Sequence, residues 1–253
     1  MEPAVCIECY EVIPVKKRSQ LRYFLLVNAG ILCALALCSL AGNKAVTTYI
    51  ERAPIKQRRC YIIDAGHGGV DGGATSCTGV LESEINLQIS LRLNDLMNLL
   101  GMDTLMIRTT DQSVYTQGST IAAKKVSDLK QRVKIVNQTN GAVLVSIHQN
   151  YFDDSRYAGS QVFYAPGEVS ENLAKQMQTA LVRSLRPDSR RLAKKAEGIY
   201  LMQNINSPGI LIECGFLSNS EEETKLRSTQ YQKQLCCVIA SVLSKFNSDI
   251  GIT

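Results

Sequence analysis

The only two histidines of the chain each follow a short apolar run that has the composition of a buried strand. His67 lies in a loop with five glycines in eight residues, and His148 closes the run 143–147. Glycine permits positive φ and close backbone approach, so this loop can fold tightly around a ligand. Open α/β sheets bind their ligands at the carboxyl ends of parallel strands. The sequence therefore predicts two parallel strands that bring both imidazoles to one edge of one sheet.

Two histidines and a carboxylate form a common catalytic zinc site, in which water takes the fourth position. Because the chain has no other histidine, a third protein ligand must be an acid or a cysteine. The acidic candidates are Asp64, Asp71, Glu82, Glu84 and Glu213. Helical spacing places Glu82 on the sheet-facing side of the next helix and turns Glu84 towards solvent. Glu213 ends an apolar strand, where a glutamate is either functional or paired, because an unpaired buried charge is costly.

A metal ion held in this way, with one carboxylate left free, could activate water and move its proton, as in amide hydrolysis. Two other chemistries fit less well. The glycine loop lacks both the G-x-G-x-x-G order and a Lys-Ser/Thr pair, which disfavours nucleotide binding. Glu82 and Glu213 could be the paired carboxylates of a glycoside hydrolase, but both histidines would then have no role. The basic segment 183–195 indicates a solvated loop, or a surface for an anionic polymer or peptide carboxylates.

Strand and helix patterns alternate from Cys60 onward and predict a three-layer α/β/α domain with a mostly parallel sheet. Apolar residues at helical spacing predict helices over 82–100, 169–185 and 231–246, and a further helix capped by Ser127. The predicted strands are 61–63, 103–107, 143–147, 160–164, 199–202 and 209–214.

Residues 23–42 carry no charge and are long enough to cross a bilayer as a helix, with four cations shortly before them. The positive-inside rule then predicts a cytoplasmic tail over 1–22, a membrane anchor over 23–42, a linker over 43–59 and an exported domain over 60–250. A cleaved signal segment is the alternative, since Ser39-Leu40-Ala41 resembles a cleavage site and would make the protein secreted. Cys6 and Cys9 form an isolated C-x-x-C in the tail that does not establish a role.

The formal net charge of +5 is small for 253 residues, and no aromatic-rich basic motif accompanies it. The composition therefore predicts no nucleic-acid partner. Five cysteines fall in the predicted exported part without framework-like spacing, and are interpreted mainly as small core residues.

Six motifs occur in the order found in one family of enzymes. They are Asp64-Ala65-Gly66-His67-Gly68-Gly69, Glu82-x-x-x-Asn86-Leu87, Arg108-x-x-Asp111, Arg132 with Asn137, Ser146-Ile147-His148-Gln149-Asn150 and Glu213-Cys214-Gly215-Phe216-Leu217-Ser218-Asn219. From about Cys60 to Phe246 the chain resembles the zinc-dependent N-acetylmuramoyl-L-alanine amidases of bacterial cell-wall autolysins. Ala65 stands where the family usually has proline, and Gln149 where a small residue is common.

The resemblance implies that His67, Glu82 and His148 bind Zn²⁺ and that Glu213 is the catalytic acid and base. It implies a six-stranded sheet flanked by helices, and hydrolysis of the amide between N-acetylmuramic acid and L-alanine in peptidoglycan. The single domain and the anchor are similar to amidases of spore-cortex maturation or germination. A vegetative or division amidase and a non-catalytic peptidoglycan-binding protein are the alternatives. Neither an activator partner nor the oligomeric state is predicted.

Overall fold

The computed structural model describes residues 22–39 and 59–248. They form two units, one with helix α1 (Arg22–Ser39) and one with residues 59–248. Helix α1 is long and apolar enough to cross a membrane, by length and composition. Residues 1–21 with Cys6 and Cys9, residues 40–58 of the predicted anchor and linker, and residues 249–250 of the predicted domain lie outside the described residues.

The second unit is built on one six-stranded sheet in the order β2-β1-β3-β6-β4-β5. Its strands are β1 (Cys60–Ala65), β2 (Thr104–Met106), β3 (Ala142–Asn150), β4 (Gln161–Tyr164), β5 (Lys194–Lys195) and β6 (Gly209–Phe216). The four strands β2, β1, β3 and β6 are parallel, whereas β4 runs antiparallel to β6 and β5 follows the direction of β4. The predicted six-stranded, mostly parallel sheet is confirmed. Both of its edge strands are very short, and the two lysines of β5 are exposed.

Six helices cover the two faces of this sheet within residues 59–248. They are α2 (Glu82–Leu99), α3 (Ile121–Gln138), α4 (Glu168–Leu185), α5 (Tyr200–Asn204), α6 (Ser220–Arg227) and α7 (Thr229–Ser248). Residues Ile63, Val145 and Ile212 face the larger core, which they share with α2, α4 and α7. Their strand neighbours Ile62, Leu144 and Leu211 face the smaller core under α3 and α5. Alternation along each strand thus makes three layers, as predicted.

The helix predicted to start at Ser127 begins earlier, so this prediction is wrong. Thr120 is the N-cap of α3, and its side chain accepts a hydrogen bond from the backbone N–H of Ala123 at 3.2 Å. The first turns carry exposed apolar residues, among them Ile121 and Val126, so no inward stripe marks them in the sequence. Ser127 lies inside the helix, and its hydroxyl accepts hydrogen bonds from the backbone of residues 116 and 117.

The strand predicted over 199–202 is also wrong, because these residues begin the short helix α5. Leu201 and Met202 are buried in the smaller core, and a short buried apolar run does not distinguish a strand from a helix by periodicity. Two elements were not predicted at all. Strand β5 lies in the basic segment, and helix α6 is capped by Asn219, whose side-chain oxygen accepts from the backbone of residues 221 and 222.

Candidate metal centre

His67, Glu82 and His148 meet at the carboxyl edge of the parallel strands. One potential ligand atom from each lies within 4.8 Å of the other two. Glu82 Oε2 is 3.3 Å from His67 Nε2, and Glu82 Oε1 is 3.0 Å from His148 Nδ1. The three residues come from the loop after β1, the first turn of α2 and strand β3. The predicted convergence of both imidazoles at one sheet edge is therefore observed.

The backbone of the glycine loop lies very close to the side chains of His148 and Glu82. His67 has a φ of 62°, which is unusual for a residue with a side chain, and Gly68 and Gly69 that follow also have positive φ. A Cβ atom at Gly66 would lie 2.3 Å from the ring of His148, and one at Gly73 would lie 2.6 Å from Glu82 Oε2. These glycines let the backbone approach the two side chains, and the strained conformation at His67 is of a kind that clusters at functional sites.

Asp71 holds the ring of His67 from behind. Its Oδ2 is 2.9 Å from His67 Nδ1, and its Oδ1 is 2.9 Å from Lys125 Nζ. In the tautomer in which Nδ1–H donates a hydrogen bond to Asp71, the lone pair of Nε2 is directed at the space between the three side chains. A carboxylate in this position fixes the tautomer and orientation of a ligand histidine. Asp71, considered above as a ligand, is thus placed behind one.

The carboxylate of Glu82 is buried and fixed by backbone and side-chain donors. Its Oε1 accepts hydrogen bonds from Asn86 Nδ2 and the backbone N–H of Gln149, both at 3.1 Å. Its Oε2 accepts from the backbone N–H of Ala74 at 3.0 Å. Burial raises the pKa of Glu82, but hydrogen bonds and charge from His148 and His67 bring it far below its ordinary value. For His67 burial acts in the other direction and lowers the pKa. Hydrogen bonds and negative charge from Glu82 and Asp71 outweigh it and raise the pKa of His67 to about 9.

Glu213 lies beside His148 on the neighbouring strand, since the two residues pair in the β3–β6 register. It is half-buried, and its Oε2 is a buried atom that makes no hydrogen bond within the described part of the chain. Burial, assisted by the negative charge of Glu82 and opposed by His148, raises the pKa of Glu213 to about 7. Such a carboxylate, unpaired and close to neutral pH in its titration, has the properties of a general acid or base.

The remaining acidic candidates have other roles. Asp64 is buried, forms an ion pair with Arg132 Nη1 and accepts a hydrogen bond from Ser146 Oγ at 2.6 Å. Arg132 also binds the backbone oxygen of His67 at 2.7 Å, so this pair supports the histidine loop from below. Glu84 is exposed, as helical spacing predicts. Of the five acids, the structure places Glu82 between the two histidines, Asp71 against Nδ1 of His67, and Glu213 beside His148 in the strand register.

Arg108, a buried arginine outside the predicted site residues, also supports the histidine loop. Arg108 Nε donates to the backbone oxygen of Ala65 at 2.8 Å, and Nη2 donates to Gly66 O at 3.0 Å and Ser83 O at 2.8 Å. The sequence signal was its place in the Arg108-x-x-Asp111 motif, which gave no indication of these contacts. Arg108 ties β1 to the start of α2, and so fixes the spacing between His67 and Glu82.

A cavity of about 300 Å³ opens next to this cluster, on the face of the sheet that carries α3 and α5. Its walls include His67, His148, Lys125 and Tyr200. The neighbouring cluster of His67, Glu82 and His148 offers two imidazole nitrogens and a carboxylate oxygen, a donor set that suits a divalent transition metal ion. The cluster can therefore hold a metal ion. An α/β/α domain with such a cluster at its sheet edge has the form of a metal-dependent hydrolase.

Comparison with known proteins defines this hydrolase further. A family model described as N-acetylmuramoyl-L-alanine amidase matches residues 62–245. The chain is 36% identical over 201 residues to the germination-specific N-acetylmuramoyl-L-alanine amidase of Bacillus subtilis (strain 168), covering 78% of this chain and 83% of that protein. The chain belongs to the N-acetylmuramoyl-L-alanine amidase family, as the sequence motifs indicated.

Solved structures agree with this assignment. The CwlD amidase from Clostridioides difficile, solved in complex with the GerS lipoprotein, is similar with a TM-score of 0.73 and 36% identity over 76% of this chain and 100% of that chain. An N-acetylmuramoyl-L-alanine amidase from Clostridium difficile 630 has a TM-score of 0.65 and 30% identity, over 76% of this chain and 97% of that one. The chain is thus an amidase that hydrolyses the bond between N-acetylmuramic acid and L-alanine in peptidoglycan.

Proposed function

We propose that His67, Glu82 and His148 hold a Zn²⁺ ion and that Glu213 acts as the general base and acid of the amide hydrolysis. The supporting observation is the gathering of these three ligand atoms within 4.8 Å, with Glu213 beside His148. Two neutral imidazole nitrogens and one carboxylate oxygen are the donor set of many catalytic zinc sites. A bound Zn²⁺ would supply Lewis-acid polarisation of the amide carbonyl and activation of water.

The side chains of this chain would then do the positioning and the proton transfer. Asp71 keeps the Nδ1 proton on His67, and the three donors to Glu82 keep its carboxylate in place. Glu213 takes a proton from the attacking water and returns it to the nitrogen of L-alanine as that nitrogen leaves. Its buried Oε2 has no described competing donor, so the oxygen is free for this proton.

The test uses purified peptidoglycan sacculi and the full-length protein. Glu213→Gln should keep stoichiometric zinc and lose turnover by about 10²–10⁴-fold, the usual contribution of general acid–base catalysis. His67→Ala should lose the metal as well. Glu84→Gln is the matched control, because this exposed glutamate lies two residues from Glu82 but faces solvent. Normal turnover by Glu213→Gln, or stoichiometric zinc in His67→Ala, would overturn these roles.

The products of the same reaction distinguish the alternatives. Mass spectrometry should find stem peptides with a free L-alanine amino terminus, and a chelator should abolish their release. A non-catalytic peptidoglycan-binding protein would sediment with sacculi and release no peptide. A glycoside hydrolase that used Glu82 and Glu213 would produce new reducing sugar ends and would be insensitive to the chelator.

We further propose that this amidase trims spore-cortex peptidoglycan in maturation or germination, because a similar Bacillus subtilis enzyme is named germination-specific. A vegetative or division role is the alternative. Deletion of the gene should leave growth rate unchanged and remove amidase-specific products from spore cortex. Unaltered cortex with a defect in cell separation would instead support the vegetative role.

The proposed location is the outer face of a membrane, with residues 23–42 as a retained anchor. The support is the length and composition of α1 and the cations before it. Membrane fractionation and amino-terminal sequencing test this, since a cleaved signal would yield a soluble protein that starts near residue 42. By analogy with the CwlD amidase complex, a lipoprotein is the proposed kind of partner. Affinity capture from detergent-solubilised membranes should recover it, and recovery of the amidase alone would count against it.

A further inference from the structure

Three aromatic side chains of the loop 151–159 are about half exposed to solvent. Tyr151, Phe152 and Tyr157 are exposed by 48%, 52% and 46%, and are together called the aromatic platform below. Single exposed apolar residues are common on protein surfaces, whereas several in one short loop indicate a binding surface.

The aromatic platform is ordered by contacts with the residues that follow Glu213. The rings of Phe152 and Tyr157 meet edge to face with centroids 4.7 Å apart, and Tyr157 lies 6.0 Å from the buried ring of Phe216. The backbone N–H of Phe152 donates to Ser218 Oγ at 3.2 Å, and Asn219 Nδ2 donates to the backbone oxygen of Ser155 at 2.8 Å. Phe152 and Tyr157 are thus held by contacts with the end of β6 and with the segment after it.

The platform continues from the strands that carry the candidate catalytic groups. Strand β3 ends at Asn150, two residues beyond His148, and Asn150 pairs with Phe216 as His148 pairs with Glu213. Since a residue advances the chain by at most about 3.6 Å, the Cα atom of Phe152 lies within roughly 14 Å of that of His148. The platform therefore lies at the same edge of the sheet as the proposed active site, and a polymer bound there can reach it.

Two charged side chains with planar end groups lie on the same loop as the rings. Arg156 and Asp154 form an exposed pair, with Nη2 and Oδ2 2.7 Å apart, on the same loop. The faces of a pyranose ring present C–H groups that pack against an aromatic surface, and its rim presents hydroxyls that need donors and acceptors. An aromatic surface with charged hydrogen-bonding groups beside it thus has the chemistry that a sugar ring requires.

We propose that the aromatic platform binds a sugar ring of the glycan strand adjacent to the muramoyl unit whose amide is cleaved. This inference rests on the proposed location of the active site at His148 and Glu213. It makes Phe152 and Tyr157 substrate-binding residues that favour polymeric peptidoglycan over a muramoyl peptide with a single sugar. The rings contact the carbohydrate only, whereas the scissile amide lies at the proposed metal centre and Glu213.

The first experiment compares full-length Phe152→Leu with the unaltered protein on solubilised glycan chains bearing stem peptides and on a single-sugar muramoyl peptide. Leucine keeps the apolar character and removes the aromatic face. KM for the polymeric substrate should rise about three- to tenfold, with kcat retained and the single-sugar substrate unaffected. Phe152→Tyr should restore KM. Leu99→Ala is the control, because Leu99 is 84% exposed at the far end of α2 from Glu82.

Three results would each overturn the proposal. They are equal KM values for Phe152→Leu and the unaltered protein on polymer, a KM for Phe152→Tyr as high as that for Phe152→Leu, and a matching loss of Phe152→Leu on the single-sugar substrate. A binding measurement separates this outcome from failure of the proposed catalytic roles. In a Glu213→Gln background, Phe152→Leu should weaken co-sedimentation with sacculi by a similar factor, whether or not Glu213 is the base. Unchanged co-sedimentation, with loss of a dimer in size-exclusion chromatography, would assign the platform to self-association and refute sugar binding.

Discussion

Gly66→Ala is a small substitution whose effect on the site can be worked out from one distance. The backbone of Gly66 is not in the positive-φ region, so alanine introduces no conformational strain there. Its Cβ atom would lie 2.3 Å from Cε1 and Nε2 of His148, whereas ordinary contact begins at 3.4 Å. The difference, 3.4 − 2.3 = 1.1 Å, is the distance by which the ring or the backbone must move.

A movement of this size reaches the proposed ligand atom, because the imidazole ring is rigid and its Nδ1 faces Glu82. Misplacement of a catalytic group by about 1 Å can cost about 100-fold in rate. We therefore expect Gly66→Ala to lose roughly that factor in amidase turnover and to bind zinc more weakly. Overpacking should also lower the free energy of unfolding by about 1–3 kcal/mol. Peptide release from sacculi, zinc competition with a chromogenic chelator and urea denaturation measure the three effects.

Gly209→Ala is the matched control for this prediction. A Cβ atom at Gly209 would lie 2.5 Å from Ile205 Cδ1, so the same substitution overpacks the apolar core at the start of β6. It should lower the free energy of unfolding, because Leu144 Cβ also lies only 3.2 Å away, while turnover per folded molecule and zinc affinity remain. Unchanged turnover and zinc binding in Gly66→Ala would refute the reasoning, as would an equal loss of both in Gly209→Ala.

Three further results are expected from the groups that support the site. Asp71→Asn should weaken zinc binding about 10- to 100-fold, because it removes the charged partner of His67, and chelator competition would measure this. Equal affinity would contradict the orienting role. Arg132→Met leaves the buried Asp64 carboxylate without its partner and should cost about 3–5 kcal/mol of unfolding free energy in urea. A loss under 1 kcal/mol would contradict this. Burial raises the pKa of Asp64, but Arg132 and a serine hydroxyl lower it below its ordinary value. The resulting stability is present above about pH 4 and is lost as pH falls through the lowered pKa. Asp64→Asn should flatten the acid limb of unfolding curves, and an unchanged limb would assign it to other carboxylates.

The parts of the fold that follow from periodicity could be predicted from the sequence. Strands β1, β3 and β6 are apolar, and helices α2, α4 and α7 carry inward stripes, so their existence followed from local pattern. Helix α5 and the start of α3 could not be placed in this way. A four-residue apolar run fits either a strand or a helix, and exposed residues at the start of α3 carry no inward signal. Tertiary packing and the Thr120 cap decide these two cases.

The candidate site shows a similar division. The two histidines were recognisable because each follows a short apolar run, and Glu82 because helical spacing turns it inward. The role of Asp71 depends on the positive φ values at 67–69, which fold the loop after β1 back on itself. The role of Arg108 depends on contacts with that loop over more than forty residues of sequence. No local pattern encodes contacts of that range. The resemblance to the amidases included Arg108 in a motif, but the partners of its guanidinium required coordinates.

The two borders of the sheet have a consequence for the protein at high concentration. Strand β2 has three residues and β5 has two, both lysines with exposed side chains. Few backbone groups are therefore left open at either border, and one border carries positive charge. Short and charged borders prevent a strand of another copy from pairing there. Copies of this domain crowded together should repel one another at that side and resist joining into extended aggregates.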